Sequence, residues 1–519
     1  MMERLKNTDW FYLSLMLLVV SLPFSAGMIS VAAVLLFIVS LFRISQNNFR
    51  NKLAAGRNLL IFASVFLVYL FGLLICRDWK WGLYDLQKNI PFLMIPLAFV
   101  FGPQLSARKS KKLLLIFALA VVLSALSAVV LFYGSTRLSV LEAQELGFVH
   151  HIRFSFQVIL SILILSIPLI LAYSEMSLRE KFLRLGGGLF LVLFLFWHQS
   201  LTGIISFLGT AFAGGVLLLF QINGRVQRML LGMSLMLLIL IPSVYLAYAI
   251  NRFYDLDPLD PTSLEDRTSL GNPYTHHLEN PQLENGHYVG LYWCEQEMEK
   301  AWNQRAEIKY NEPDQHGYQI KETLVRYLTS KNLRKDAAGV SQLTSEDIRN
   351  IEAGISNHIL ARKGLSLYPR IYVSIWEVDN YLKTGYANAR SLALRMEYSK
   401  AAWHIIRDHF WFGVGTGNWK AAFDDAYHQL GSQMEPEWYS SAHNQYLNYW
   451  VKFGLVGLLL ILSLIIFPVV KTKAYRNSVF LLFLVSMFLA NFADSNLETH
   501  VGGHFFVFVY CLFVASENI

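Results

Sequence analysis

Charge is scarce in this chain. Asp, Glu, Lys and Arg make up 16% of its 519 residues, while 54% are hydrophobic. A soluble domain carries about 25% charged residues, so a water-facing exterior along the whole length is excluded and an integral membrane protein is expected. Cysteine is scarcer still. Cys76, Cys294 and Cys511 are too few and too scattered for a disulfide framework or a zinc site, and read as packing residues. Cys76 and Cys294 are expected outside the membrane on the same side, the one pair for which a bridge is open. No internal repeat or low-complexity tract stands out. Nor does a Ser-His-Asp or HExxH arrangement, which argues against triad or zinc-protease chemistry.

What the chain does have is long apolar runs. About 20 such residues cross a bilayer as a helix, the form that satisfies the backbone there. Twelve spans are expected, near 10–25, 27–43, 58–76, 90–102, 113–133, 154–173, 185–199, 201–220, 229–250, 446–469, 477–493 and 501–516. The first resembles a signal peptide, with Arg4 and Lys6 before an apolar core that ends near Ser25-Ala26-Gly27. A second run follows at once, and eleven spans would put the termini on opposite sides, so retention is expected.

Lys and Arg then set the direction. With both termini cytoplasmic, the inner loops hold 18, from Arg4, Lys6 and Arg43 to Lys471, Lys473 and Arg476. The short outer loops hold five: Arg77, Lys80, Lys88, Arg137 and Arg153. The formal charge of +7 is therefore mostly topology, and no nucleic-acid partner is expected.

Three regions follow: an N-terminal membrane domain (1–250, spans one to nine), a large polar loop (251–442) and a C-terminal membrane domain (443–519, spans ten to twelve). The loop falls on the outer side, the periplasm of a bacterium with two membranes, and carries 20 Lys and Arg against 26 Asp and Glu. Its length implies structure of its own. Helix formers at helical spacing cover Glu295–Lys309, Ile320–Leu328 and Ala387–Asp408, and Thr344-Ser-Glu-Asp347 has the shape of a capping box. Asp255 to His287, rich in Pro, Asn, Asp and Gly, reads as irregular. The fold class is thus an all-α polytopic membrane protein with about twelve transmembrane helices and a large, mainly helical periplasmic loop between spans nine and ten.

Topology gathers polar residues on the outer side: His150, His151 and Arg153 before span six, Arg395 in the large loop, His443 and Asn444 before span ten, and Asp494, Glu498 and His500 before the last span. Two readings of His443 stay open. It can anchor the helix start with Asn444, or act as a general base, since its unperturbed pKa lies nearest working pH. Arg395 and Arg153 are either solvated or headgroup-contacting cations, or forks of donors for phosphate oxygens. Gly413-Val-Gly-Thr-Gly-Asn418 lacks the preceding strand and the following Lys-Ser/Thr of a phosphate loop, so a tight turn closing the Arg395 helix is expected. Asp255, Asp257 and Asp260 lack the Gly and terminal Glu of a calcium loop. No metal site is expected.

Arg395 in RMEYSKAAWHIIRDHFWFGVGTGNW, then His443-Asn444-Gln445-Tyr446-Leu447, then Gly454 and Gly457 in a span, resembles the O-antigen ligase and polymerase superfamily. The loop Asn491 to His500 looks like one that many members place before the last span. The resemblance implies a metal-independent, inverting glycosyltransferase of lipopolysaccharide biosynthesis in the bacterial inner membrane. It would need no cofactor and would work at the periplasmic face on an undecaprenyl-diphosphate-linked glycan. His443 matches the histidine that activates the acceptor hydroxyl, and Arg395 an arginine assigned to the donor diphosphate. Many members carry an arginine where Leu201 stands here, so Arg153 is expected to supply the second cation. His151, Asn444, Glu498 and His500 are supporting candidates. Phe410-Trp411-Phe412 lacks a frequent proline, and Lys452 stands where an acidic residue is common.

The leading expectation is transfer of polysaccharide to a lipid A-core sugar. Polymerisation of the same donor and glycosylation of protein are alternatives on the same scaffold. A transporter or flippase of lipid-linked glycan would place ionisable residues within the spans, where Lys452 is the main one.

Overall fold

The computed structural model describes residues 9–42, 49–134, 146–256, 259–280, 282–361 and 366–516. Arg4, Lys6, Arg43 and Arg137 of the charge alternation, and Asp257 of the acidic run, lie outside the described residues. The chain forms two compact units. One comprises Met1–Val130, Gly147–Leu235 and Ala387–Ile519; the other comprises Leu131–Leu146 and Met236–Tyr386.

The first unit is a helical bundle. Each of the twelve apolar runs falls on a helix. Among the described residues, six helices are long and apolar enough to cross a membrane: Arg57–Ile75, Ala107–Gly134, His151–Leu171, Leu201–Leu219, Arg225–Phe253 and Gln445–Lys471. Four shorter apolar helices, Trp10–Ser21, Ala26–Leu41, Ser478–Ala490 and His500–Ala515, stand beside them. The close pair of runs at 185–220 is two helices, Leu178–Trp197 and Leu201–Leu219, separated by a turn at His198 to Ser200. His500–Ala515 is buried on every side from Gly502 to Val514, as expected of a helix that is apolar all round. It packs on Pro91–Phe101, which also packs on Arg57–Gly72; the latter packs in turn on Gln445–Lys471. The Gln445 helix thus joins the bundle through Arg57–Gly72, while several of its residues, Leu459, Ile466 and Val470 among them, stay exposed.

The second unit has a core of its own around Trp302, Tyr310, Leu324, Leu328 and Ile351. Helices Glu295–Arg305, Ile320–Ser330 and Ser345–Glu352 form where helical spacing predicts them. The capping box is present: the Thr344 side chain accepts from Asp347 N–H, and the Asp347 side chain accepts from Thr344 N–H. The described residues from Asp255 to His287 are mostly irregular, with one short turn of 3-10 helix and the start of a two-residue antiparallel pair, Leu283–Glu284 with His287–Tyr288. All three cysteines are free.

Candidate functional site

The site begins with a helix broken on purpose by its sequence. Gly454 inside Gln445–Lys471 has φ +66°, a conformation glycine adopts without steric cost. The break frees the carbonyls of Val451 and Lys452 and the N–H groups of Leu455 and Val456 from one another. The glycine turn takes them up: Val414 and Gly415 donate to Val451 and Lys452 at 2.9 and 2.7 Å, while Leu455 and Val456 donate to Phe410 and Trp411 at 2.8 and 3.2 Å. No buried backbone group is orphaned by the exchange, as a low-dielectric setting requires. Gly413, Gly415 and Gly417 all have positive φ. The expected tight turn therefore closes the helix Ser391–Asp408 and also clamps it to the His443 segment.

His443-Asn444-Gln445 is stitched to the loop before the last helix. Asn444 is the N-cap, its side chain accepting from Tyr446 and Leu447 N–H while its amide donates to the Phe492 carbonyl at 3.0 Å. Gln445 N–H donates to the Asn491 carbonyl at 2.9 Å, and the Gln445 side chain accepts from Leu497 N–H at 2.8 Å. Capping thus belongs to Asn444, which leaves the His443 imidazole for other work. His443 itself sits at φ +47°, in the left-handed region where histidine is enriched among side-chain-bearing residues.

The stitched loop delivers Asp494. One carboxylate oxygen lies 3.3 Å from His443 Nδ1, and the other pairs with Arg153 Nη2 at 2.8 Å. Burial raises the Asp494 pKa, but the His443 hydrogen bond and the Arg153 and His443 charges outweigh it and hold the carboxyl at about 2. An ionised carboxylate accepts only, so the Nδ1 of His443 faces it as the donor. Nε2 lies 3.3 Å from Ser440 Oγ, and the imidazole is 39% exposed, open enough to meet a ligand.

The Arg395 helix reaches the same place. Tyr398, one turn beyond Arg395, stacks on His443 with ring centroids 5.3 Å apart and planes 21° from parallel, and its hydroxyl donates to the Trp438 carbonyl at 2.8 Å. Among the described residues Arg395 has no ion-pair partner, yet its charge is felt at His150. Burial first, then Arg153 and Arg395, depress the His150 pKa against the pull of Asp494. His150 Nδ1 also lies 3.2 Å from Arg153 Nη1.

Arg153, His443, Asp494 and Glu498 line a cleft of about 320 Å³, with Trp81, Tyr84, Trp419 and Tyr439 as aromatic walls and Lys88 and Lys420 as further cations; Arg395, Tyr398 and His150 are not part of its lining. Beneath it lies a second charge cluster. Lys452 pairs with Glu498 at 2.8 Å and Asp85 at 3.2 Å, Tyr69 donates to Glu498 at 2.7 Å, and Asn448 ties Ser495 and Glu498 together at 2.7 and 3.3 Å. Burial raises the Glu498 pKa, but Lys452, Lys88 and Tyr69 bring it below the usual value; at Asp85 burial prevails over Lys452 and the pKa is raised. Glu498 thus serves both as cleft wall and as counter-ion.

The other candidates are set apart. His151 stacks on His150 at 4.4 Å and meets the edge of His198 at 6.2 Å, outside the cleft lining. His500 Nε2 bonds the Ser30 hydroxyl at 2.6 Å, also outside it. Sequence reasoning missed Asp494 as the partner of His443, and missed Tyr398, Asn448, Asp85 and Tyr69 entirely. A signal for Asp85 existed: Gly82, Asp85 and Asn89 form the buried stripe of the helix Trp79–Asn89, polar where an amphipathic helix is ordinarily apolar.

Residues 341–462 match the family model described as O-antigen ligase, a stretch that takes in the Arg395 helix, the glycine turn and the start of the Gln445 helix. No curated protein matches the chain.

Proposed function

From its place in the O-antigen ligase superfamily, we propose that this chain transfers a polysaccharide from an undecaprenyl-diphosphate carrier to a sugar hydroxyl of lipid A-core at the periplasmic face of the inner membrane. The observation that carries the reading is the Asp494–His443 pair, with Nδ1 turned to the carboxylate and Nε2 beside Ser440 Oγ at a cleft that both residues line. The acceptor hydroxyl gives its proton to Nε2, its oxygen bonds to the anomeric carbon, and the bond from that carbon to the diphosphate oxygen breaks, the electron pair leaving with the diphosphate. A single displacement of this kind inverts the anomeric centre. Asp494 stabilises the imidazolium as it forms, as a carboxylate does for a histidine base.

Negative charge grows on the leaving diphosphate, and fixed cations lower the barrier to that. Arg395, which among the described residues has no ion pair, is the first such cation. Arg153 has donors left after Asp494 and His150 take two of its five, and serves as the second. Glu498, Asn444, His151 and His500 then act on the scaffold rather than on the reacting atoms. The aromatic walls suit the apolar faces of sugar rings, in keeping with a glycan ligand.

The test is deletion of the gene followed by gel analysis of lipopolysaccharide. Bare lipid A-core with accumulated carrier-linked polymer supports ligation. Core bearing a single repeat unit indicates polymerisation by the same residues, and an unchanged ladder overturns both.

A further inference from the structure

The helix Ser391–Asp408 does not stand clear of the apolar bundle. It runs beside the first turns of the Gln445 helix and in the same direction: Tyr398 stacks on His443, Trp403 meets Trp450 with ring centroids 5.5 Å apart, and Phe410 meets Trp450 at 5.3 Å. The Trp450 indole N–H donates to the Phe410 carbonyl at 3.1 Å. The chain turns only at Gly413, against the backbone of Gly454. The helix Trp419–Gln429 then carries it back towards Tyr398, whose ring lies 6.3 Å from that of Tyr427.

The tip of this helical hairpin exposes apolar surface. Trp411 is 59% and Phe412 74% exposed, and Trp403 and Phe410 are open as well. Arg407, Asp408 and His409, directly before them, are exposed too, so charged and aromatic side chains meet at a sharp boundary. Two candidate membrane helices fix the level of that boundary. From Leu455 to Lys471 the Gln445 helix rises about 25 Å, close to the roughly 30 Å of a hydrocarbon core, which puts the break at Gly454 near one bilayer face. In the glycine turn, the Thr416 hydroxyl donates to the Tyr69 carbonyl at 2.8 Å and its N–H to the Gly72 carbonyl at 3.2 Å. Gly72 is within one turn of the end of the other span, Arg57–Ile75.

Tryptophan gathers where hydrocarbon gives way to headgroups, because its ring is apolar and its N–H is not. We propose that Phe410, Trp411 and Phe412 insert into the bilayer interface on the side of the cleft, and that phospholipid covers this aromatic surface. The hairpin is then an interfacial anchor within a segment that is otherwise polar. Through the Tyr398 contact with His443, the anchor sets the height of the site above the lipid.

Photocrosslinking of the full chain in intact membranes tests this, with a benzophenone amino acid in place of Phe412, of Trp411 or, as reference, of Leu430. Leu430 is 44% exposed and lies at the far end of the hairpin, where Ser432 bonds Glu397 at 2.6 Å. All three side chains are exposed, so the exchange spares the packing. Mass spectrometry of the irradiated chain should find phospholipid adducts at 411 and 412 and only background at 430. Crosslinks from the tip to a second copy or to another protein in place of lipid overturn the proposal. So do lipid adducts of equal yield at 412 and 430, or none at either tip position.

Discussion

Tyr398 lies flat against His443, ring centroids 5.3 Å apart, so the helix that carries Arg395 is in direct contact with the candidate base. One turn of helix separates Arg395 from Tyr398, and residues three apart share a helix face. The proposed cation for the leaving group and the proposed base for the acceptor are thereby linked through one aromatic contact.

Tyr398→Ala should therefore cost more than its own packing. We expect turnover to fall by about tenfold or more, because a base displaced by a fraction of an ångström loses its alignment. Tyr398→Phe keeps the ring and loses only the bond to the Trp438 carbonyl, and should stay within about threefold of the unsubstituted rate. Steady-state transfer assays on the two variants separate ring from hydroxyl.

Asp494→Asn should lower turnover in a steady-state transfer assay, since the imidazole loses the carboxylate that orients it and stabilises its charge. Asp494 also bears on stability. Its folded pKa of about 2 lies below an unfolded value of about 3.9, so its contribution, about 2 kcal/mol, is present above the unfolded value and lost as pH falls from about 4 towards 2. Thermal melts across that window should show the loss in the unsubstituted chain and a flatter response in Asp494→Asn.

Gly454→Ala should be severely destabilising. The added Cβ would sit 2.1 Å from the Trp411 carbonyl carbon at a positive φ, where a side chain is strained. It would also break the four-bond exchange between helix and glycine turn. We expect loss of about 3 kcal/mol or more, read as a lowered melting temperature and a poor yield of folded protein.

Lys452→Met should destabilise by about 3–5 kcal/mol, because it leaves Glu498 and Asp85 buried without their cation. Adding Asp85→Asn and Glu498→Gln removes the stranded charges and should recover most of the melting temperature. A triple variant no better than the single would contradict the reading of Lys452 as a counter-ion.

Much of this architecture was legible in the residues. The twelve apolar runs all fall on helices, six of them among the described residues long and apolar enough to cross a membrane, and the capping box at Thr344 is written in local spacing. The grouping of Arg395 with His443 as site candidates rests on resemblance, since no periodicity links residues 48 apart; the contact between their segments is made by Tyr398. Asp494 was visible as a polar residue of the loop before the last apolar run, but its bond to His443 depends on Asn444 and Gln445 stitching two loops together, a tertiary fact. Asn444 shows how a correct rule can be shared too widely: N-capping explains one member of the His-Asn pair and says nothing about the other. Lys452 stood out as a charge within an apolar run, but its partners Asp85 and Glu498 lie 367 and 46 residues away, beyond any local pattern. Tyr69, in the midst of an apolar run, had no signal at all.

The central claim is that His443 takes the proton of the acceptor hydroxyl. The direct measurement is turnover and donor affinity of His443→Ala in the purified full chain, with carrier-linked glycan and lipid A-core as substrates. The account predicts a fall in turnover of about 10²–10⁴-fold, the usual contribution of a general base, with donor affinity within about threefold of the unsubstituted chain. Turnover that stays near the unsubstituted rate would contradict it.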